Sequence, residues 1–99
     1  MKREKLNQER AEIRRRVYEE IQEVTEDEPG LCDLTGYTLE QIRAAIGWLK
    51  RNRLAYTVTD SWLAPYDATD PCWIHGIERI NGICQLCERQ KRLELNSEK

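Results

Sequence analysis

Cys72-Trp73-Ile74-His75 and Cys84-Gln85-Leu86-Cys87 place three of the chain's four cysteines and its only histidine inside one 16-residue window. Two residues separate the members of each pair, and eight separate the pairs. A two-residue gap folds into a tight knuckle whose side chains reach one ion, and thiolates with an imidazole are a donor set that zinc takes up as a tetrahedron. Between the pairs, Ile80-Asn81-Gly82-Ile83 carries the Asn-Gly signature of a two-residue type I′ turn. A hairpin there folds Cys84 and Cys87 back onto Cys72 and His75. The spacing therefore predicts one structural Zn²⁺ on Cys72, His75, Cys84 and Cys87, because four protein ligands leave no open position for a reactive water or substrate. Two readings compete with it, a metal-free cysteine knuckle and a redox Cys84-x-x-Cys87. The redox motif belongs at the start of a helix within a βαβ unit, a setting this sequence lacks. Cys32 is the spare thiol, able on chemistry alone to replace one ligand.

The remaining 71 residues before Cys72 hold most of the aliphatic side chains of this 99-residue chain. One modest core is expected there, whereas the last third is too short to bury a core of its own and needs a staple. Two units follow, residues 1–66 and a metal module over 67–99, joined through the polar, breaker-rich stretch Asp67 to Pro71. No apolar run approaches the ~20 residues of a membrane span and no signal-peptide core follows Met1. The expectation is a cytoplasmic protein with no membrane partner, in which disulfides are not formed.

Ile13, Val17, Ile21 and Val24 recur at helical spacing, so a first helix is expected from about Asn7 to Val24, ended by Pro29-Gly30. Thr38 can cap a second clear helix over Thr38–Arg53, with Gln41 three residues on completing a capping box. Its face of Leu39, Ile42, Ala45, Ile46 and Leu49 is apolar. Glu40, Arg43, Gly47, Lys50 and Arg51 lie opposite. Leu54 to Val58 and Trp62 to Tyr66 then read as a hairpin around Thr59-Asp60-Ser61, with Pro65 confining the second strand to an edge. Gln85 to about Leu95 reads as a short last helix.

Gly30 to Val58 resembles a winged helix-turn-helix. Gly36 stands where that family has its turn glycine, Tyr37 and Thr38 occupy the apolar and hydroxyl positions after it, and the Thr38–Arg53 helix takes the place of the recognition helix. Cys32 falls in the small, buried slot four residues before the turn glycine, a packing role that removes it from the ligand list. The resemblance covers roughly residues 10–66. It implies an α+β fold of three helices plus a wing hairpin, here followed by a small zinc-binding hairpin and a short helix. It also implies a helix offered to the DNA major groove by way of Gln41, Arg43, Gly47, Lys50 and Arg51. Arg43 suits guanine and Gln41 adenine, Lys50 and Arg51 suit phosphates, and Gly47 allows close backbone approach.

Charge distribution pulls in both directions. The net charge is −2, and residues 41–60 carry four basic side chains against one acidic, while residues 21–40 carry six acids and no base. Glu23, Glu26, Asp27, Glu28 and Asp33 crowd the connection near which a DNA backbone would pass, and the wing tip holds Asp60 with no Lys or Arg. The expected function is a small non-enzymatic DNA-binding protein, a transcriptional regulator, using double-stranded DNA as its partner. The alternative is an adaptor or inhibitor that binds a protein partner on the same scaffold. Catalysis ranks last, since the only histidine is spent as a ligand. Trp48 is the expected exposed anchor for a protein partner, Trp62 a core residue, and Trp73 the contact that packs the metal module on the first unit. Leu6 extends the first helix's apolar stripe and offers a seam for a homodimer.

Overall fold

The computed structural model describes residues 2–66 and 70–97, so Asp67 to Thr69 of the expected linker lie outside the described residues. The elements are α1 (Lys2–Glu23), α2 (Glu28–Thr35), α3 (Leu39–Arg51), β1 (Tyr56–Val58), β2 (Ser61–Leu63) and α4 (Gln85–Ser97). Among the described residues this is an α+β chain of four helices and one two-stranded antiparallel hairpin, with a cysteine–histidine cluster beside α4. None of the described helices is long and apolar enough to cross a membrane.

Apolar periodicity decides which faces meet. Val17, Tyr18 and Ile21 of α1, Leu31 of α2, and Ile42, Ala45, Ile46, Trp48 and Leu49 of α3 form one buried cluster closed by Leu54 and Ala55. Fully burying one such aliphatic side chain is worth about 1.5–3 kcal/mol. The stripe on α1 stops at Ile21: the helix ends at Glu23, and Val24 is exposed. Tyr18, one residue off the expected spacing, fills the place beside Val17.

Local chemistry sets the helix ends. Asp27 caps α2, its carboxylate accepting from the Gly30 amide at 2.8 Å, and Pro29 sits in the first turn where no amide hydrogen is needed. Gly36 ends that helix in the left-handed region at φ 80° and donates to the Cys32 carbonyl at 2.8 Å. Thr38 and Gln41 form the expected capping box, the Thr38 hydroxyl accepting from the Gln41 amide at 3.2 Å and the Gln41 side chain from the Thr38 amide at 3.0 Å. Thr38→Ala is expected to cost about 1 kcal/mol in urea denaturation, since the Gln41 amide loses its acceptor.

The hairpin is shorter than its sequence suggests. Tyr56 pairs with Leu63, Thr57 with Trp62 and Val58 with Ser61, while Leu54 and Ala55 leave the strand to seal the core. Its two-residue turn is Thr59-Asp60, at φ 47° and 66°, so two non-glycine residues adopt the left-handed pair that a type I′ turn demands. On its other side β2 meets the α1–α2 connection, where the Trp62 amide donates to the Glu26 carbonyl at 2.8 Å.

Candidate metal centre

Residues 70–84 are built from two reversals. The Gly76 amide donates to the Cys72 carbonyl at 2.7 Å and the Cys72 amide to the Ile77 carbonyl at 2.8 Å, so Cys72 to Ile77 closes a tight loop. Gly76 makes it possible: its φ is +75°, and any Cβ there would overlap the Asn52 amide at the C-terminus of α3. Next, Ile80 and Ile83 exchange amide–carbonyl bonds of 2.9 and 3.0 Å around Asn81 (φ 54°) and Gly82 (φ 78°), as the Asn-Gly pair predicts. That turn delivers Cys84 to the start of α4, where its carbonyl accepts from the Glu88 amide at 3.1 Å, and puts Cys87 in the first turn. An ion pair of Arg79 with Asp70 ties the two sides of the loop.

The four donor atoms come together. His75 Nδ1 lies 3.6 Å from Cys72 Sγ, 3.5 Å from Cys84 Sγ and 3.4 Å from Cys87 Sγ, and Cys72 Sγ lies 3.6 Å from Cys87 Sγ. All four atoms fall within 4.8 Å of one another. Metal–sulfur bonds of about 2.3 Å and metal–nitrogen bonds of about 2.0–2.1 Å, set tetrahedrally, give edges of about 3.8 Å between sulfurs and about 3.6 Å from sulfur to nitrogen. The four separations of 3.4–3.6 Å match those edges closely. They are far too long for a disulfide, whose sulfurs stand about 2.05 Å apart, and all four cysteines are free. Cys72, His75, Cys84 and Cys87 can therefore hold one metal ion with a closed protein shell. Cys32 sits partly buried against the helical core, remote from this chemistry in its own packing slot.

Thiol acidity at the centre is uneven. Burial, with the neighbouring Cys72 and Cys84 adding to it, pushes the Cys87 thiol up to about 12. Burial also raises Cys84, but the Cys87 and Leu86 amides at the helix start and the Cys72 and Cys87 thiols donate to its sulfur, and the net shift is downward. A metal ion supplies the positive charge that lets the remaining thiolates form.

The loop docks on the helical body through Trp73, the residue after Cys72. Its indole packs on Tyr18 at 5.2 Å and Trp48 at 6.1 Å between ring centroids. Its carbonyl accepts from Arg14 Nη1 at 2.7 Å, and that guanidinium lies 4.4 Å over the Trp48 ring. Trp48 is thus only 8 % exposed, which corrects its reading as a surface anchor. Trp62 packs against the core as expected.

The residues expected on DNA share the outer side of α3, and most are already engaged. Gln41 is held in the capping box, and Arg43 Nε pairs with Glu28 Oε2 at 2.9 Å on an exposed surface. Lys50 stands 6.0 Å over the Trp62 ring, and Arg51 reaches back along the helix over Gly47. Sequence reasoning missed Arg14, whose position beside the Ile13–Val17 stripe gives no sign of a carbonyl partner 59 residues away. Compared with known proteins, the chain matches no family model, no curated protein and no solved structure.

Proposed function

We propose that this chain is a winged helix-turn-helix protein that binds double-stranded DNA as a regulator, carries one structural zinc on Cys72, His75, Cys84 and Cys87, and catalyses nothing. The observation that carries the reading is the division of α3: Ile42, Ala45, Ile46 and Leu49 are buried, while Gln41, Arg43, Lys50 and Arg51 face solvent. Support comes from the order of elements, in which two helices joined by a Gly36 turn are followed by a hairpin whose second strand bridges back to Glu26. Zinc is preferred because three thiolates and an imidazole form a soft, closed shell of tetrahedral size. The Arg43–Glu28 pair does not forbid DNA contact, since exposed pairs are worth about 0–1 kcal/mol and exchange readily.

Titrating salt against binding to a random duplex pool tests the reading. Affinity should fall steeply between 50 and 200 mM salt, and Arg43→Ala should relax sequence preference while costing about 1–3 kcal/mol at its base pair. A protein that binds no duplex at low salt leaves the second reading, an adaptor for a protein partner. That reading is favoured by one observation: Leu6 and Ile13 of α1 and Ala44 of α3 give the groove beside the outer face an apolar floor.

A further inference from the structure

The outer face of α3 does not stand alone, because the N-terminal half of α1 runs beside it and the two helices line a groove of about 610 Å³. Arg10 and Arg14 enter this groove from α1, one turn apart, and Arg51 enters from the last turn of α3. The floor under Arg51 is Gly47, where a side chain's first carbon would meet Arg51 Nη1 at 3.4 Å. These guanidiniums are close enough to act on each other: burial, then the charges of Arg10 and Arg51, lowers the affinity of Arg14 for its proton.

Arg15, Arg16, Arg43 and Arg79 each pair with a carboxylate, Glu19, Glu20, Glu28 and Asp70 respectively. Among the described residues no ion pair reaches Arg10, Arg14 or Arg51, although Glu9 and Glu40 also line the groove. Converging like charges without a direct ion-pair partner are unfavourable to hold, and an arginine cannot relieve them by losing its proton. An anion bound between them reverses the sign of the interaction. Guanidinium forks match the oxygens of a phosphate, and they do so best when already oriented. Arg14 is oriented, with Trp48 under its face and the Trp73 carbonyl on Nη1. That carbonyl belongs to the loop between Cys72 and His75, so the metal centre holds the arginine in place.

We propose that Arg10, Arg14 and Arg51 form a phosphate-binding site, preset by the metal-held loop through the Trp73 carbonyl. The DNA-binding reading supplies the expected source, a backbone phosphate of the duplex that α3 reads, and the inference rests on that reading for the source alone. Free phosphoryl groups present the same oxygens.

The test uses the full metal-loaded chain with two probes, inorganic pyrophosphate and a duplex DNA. Arg10→Ala/Arg51→Ala removes two exposed cations and leaves Arg14 docked, while Arg92→Ala on α4 removes one charge elsewhere. The double variant should lose the thermal protection given by pyrophosphate and bind duplex more than about twentyfold weaker, with a log–log salt slope shallower by about 0.9, the loss of one phosphate contact. Arg92→Ala should change neither. If wild type takes pyrophosphate through these arginines but binds no duplex at 50 mM salt, the site stands with a free phosphoryl ligand and the DNA reading fails. Duplex binding and pyrophosphate protection that survive the double variant overturn the site while leaving DNA binding intact, whereas a wild type that takes neither probe overturns the site and the DNA reading together.

Discussion

Cys84→Ser is expected to abolish one-to-one metal uptake in native mass spectrometry, and chelation of the wild-type protein should produce the same loss of structure over residues 70–97. The size of the effect follows from what else could hold this segment together. Cys72 and Cys84 are buried, but Ile77, Ile80, Ile83, Leu86 and Leu93 are all more than a third exposed. So the segment has almost no apolar burial of its own to set against the backbone entropy of fixing two turns and a helix, about 1–2 kcal/mol per residue. Structural zinc sites in small modules contribute about 10–16 kcal/mol of apparent binding energy at neutral pH, and that energy is folding energy. Losing one thiolate should therefore melt α4, read as a drop in helical circular dichroism on adding chelator. The helical core of α1, α2 and α3 should survive, because Val17, Ile21, Leu31, Ile42 and Leu49 pack together in one buried cluster drawn from all three helices.

Acid should reproduce the chelator's effect. Without metal the Cys87 thiol, pushed up to about 12, keeps its proton at neutral pH, so uptake must displace that proton. Each displaced proton weakens binding about tenfold per pH unit of acidification and strengthens it correspondingly on the alkaline side. Calorimetry in two buffers of different ionisation enthalpy counts the protons. A metal-loaded chain whose affinity is flat between pH 6 and pH 8 would exclude thiol ligation.

The metal site was the most legible part of the sequence because its ligands lie close along the chain. Cys72 with His75 and Cys84 with Cys87 are each three positions apart, and Asn81-Gly82 alone sets how the pairs meet. The same locality made the capping box of Thr38 and Gln41 readable, along with the Gly36 stop. What could not be read depends on groups distant in sequence. Trp48 lies between the core and solvent faces of α3, and an angular position cannot say that Trp73 and Arg14 will cover it. Likewise, the basic outer face of α3 gives no hint that Glu28 takes Arg43, or that α1 walls the groove with Arg10 and Arg14. The hairpin is shorter than its sequence pattern for a related reason. Leu54 and Ala55 have the side chains of a strand, but the core at the end of α3 claims them first.

Trp73→Ala should separate metal binding from the stability of the helical body. The side chain touches none of the donor atoms' chemistry, so the variant is expected to bind one metal ion with little loss of affinity. It does lose the indole that packs on Tyr18 and Trp48, each such aromatic pair being worth about 0.5–1.5 kcal/mol beyond the area it buries. Full truncation of a buried tryptophan costs about 3–5 kcal/mol, and a partly exposed one such as Trp73 should cost about 2–3 kcal/mol. In a protein of this size that lowers the melting temperature by roughly 10 °C or more. The informative comparison is with chelator. In wild type, removing the metal frees the Trp73 loop and should lower the melting temperature of the α1–α3 core together with that of the loop. In Trp73→Ala the core has already lost the indole, so chelator should melt α4 and move the core transition less than in wild type. Trp73→Phe, which keeps a ring against Tyr18, should recover part of the coupling. If chelator lowers the core transition of Trp73→Ala as far as that of wild type, the metal communicates by another route, with the Arg14 bond to the residue-73 carbonyl and Gly76 against Asn52 the remaining contacts on which to look for it.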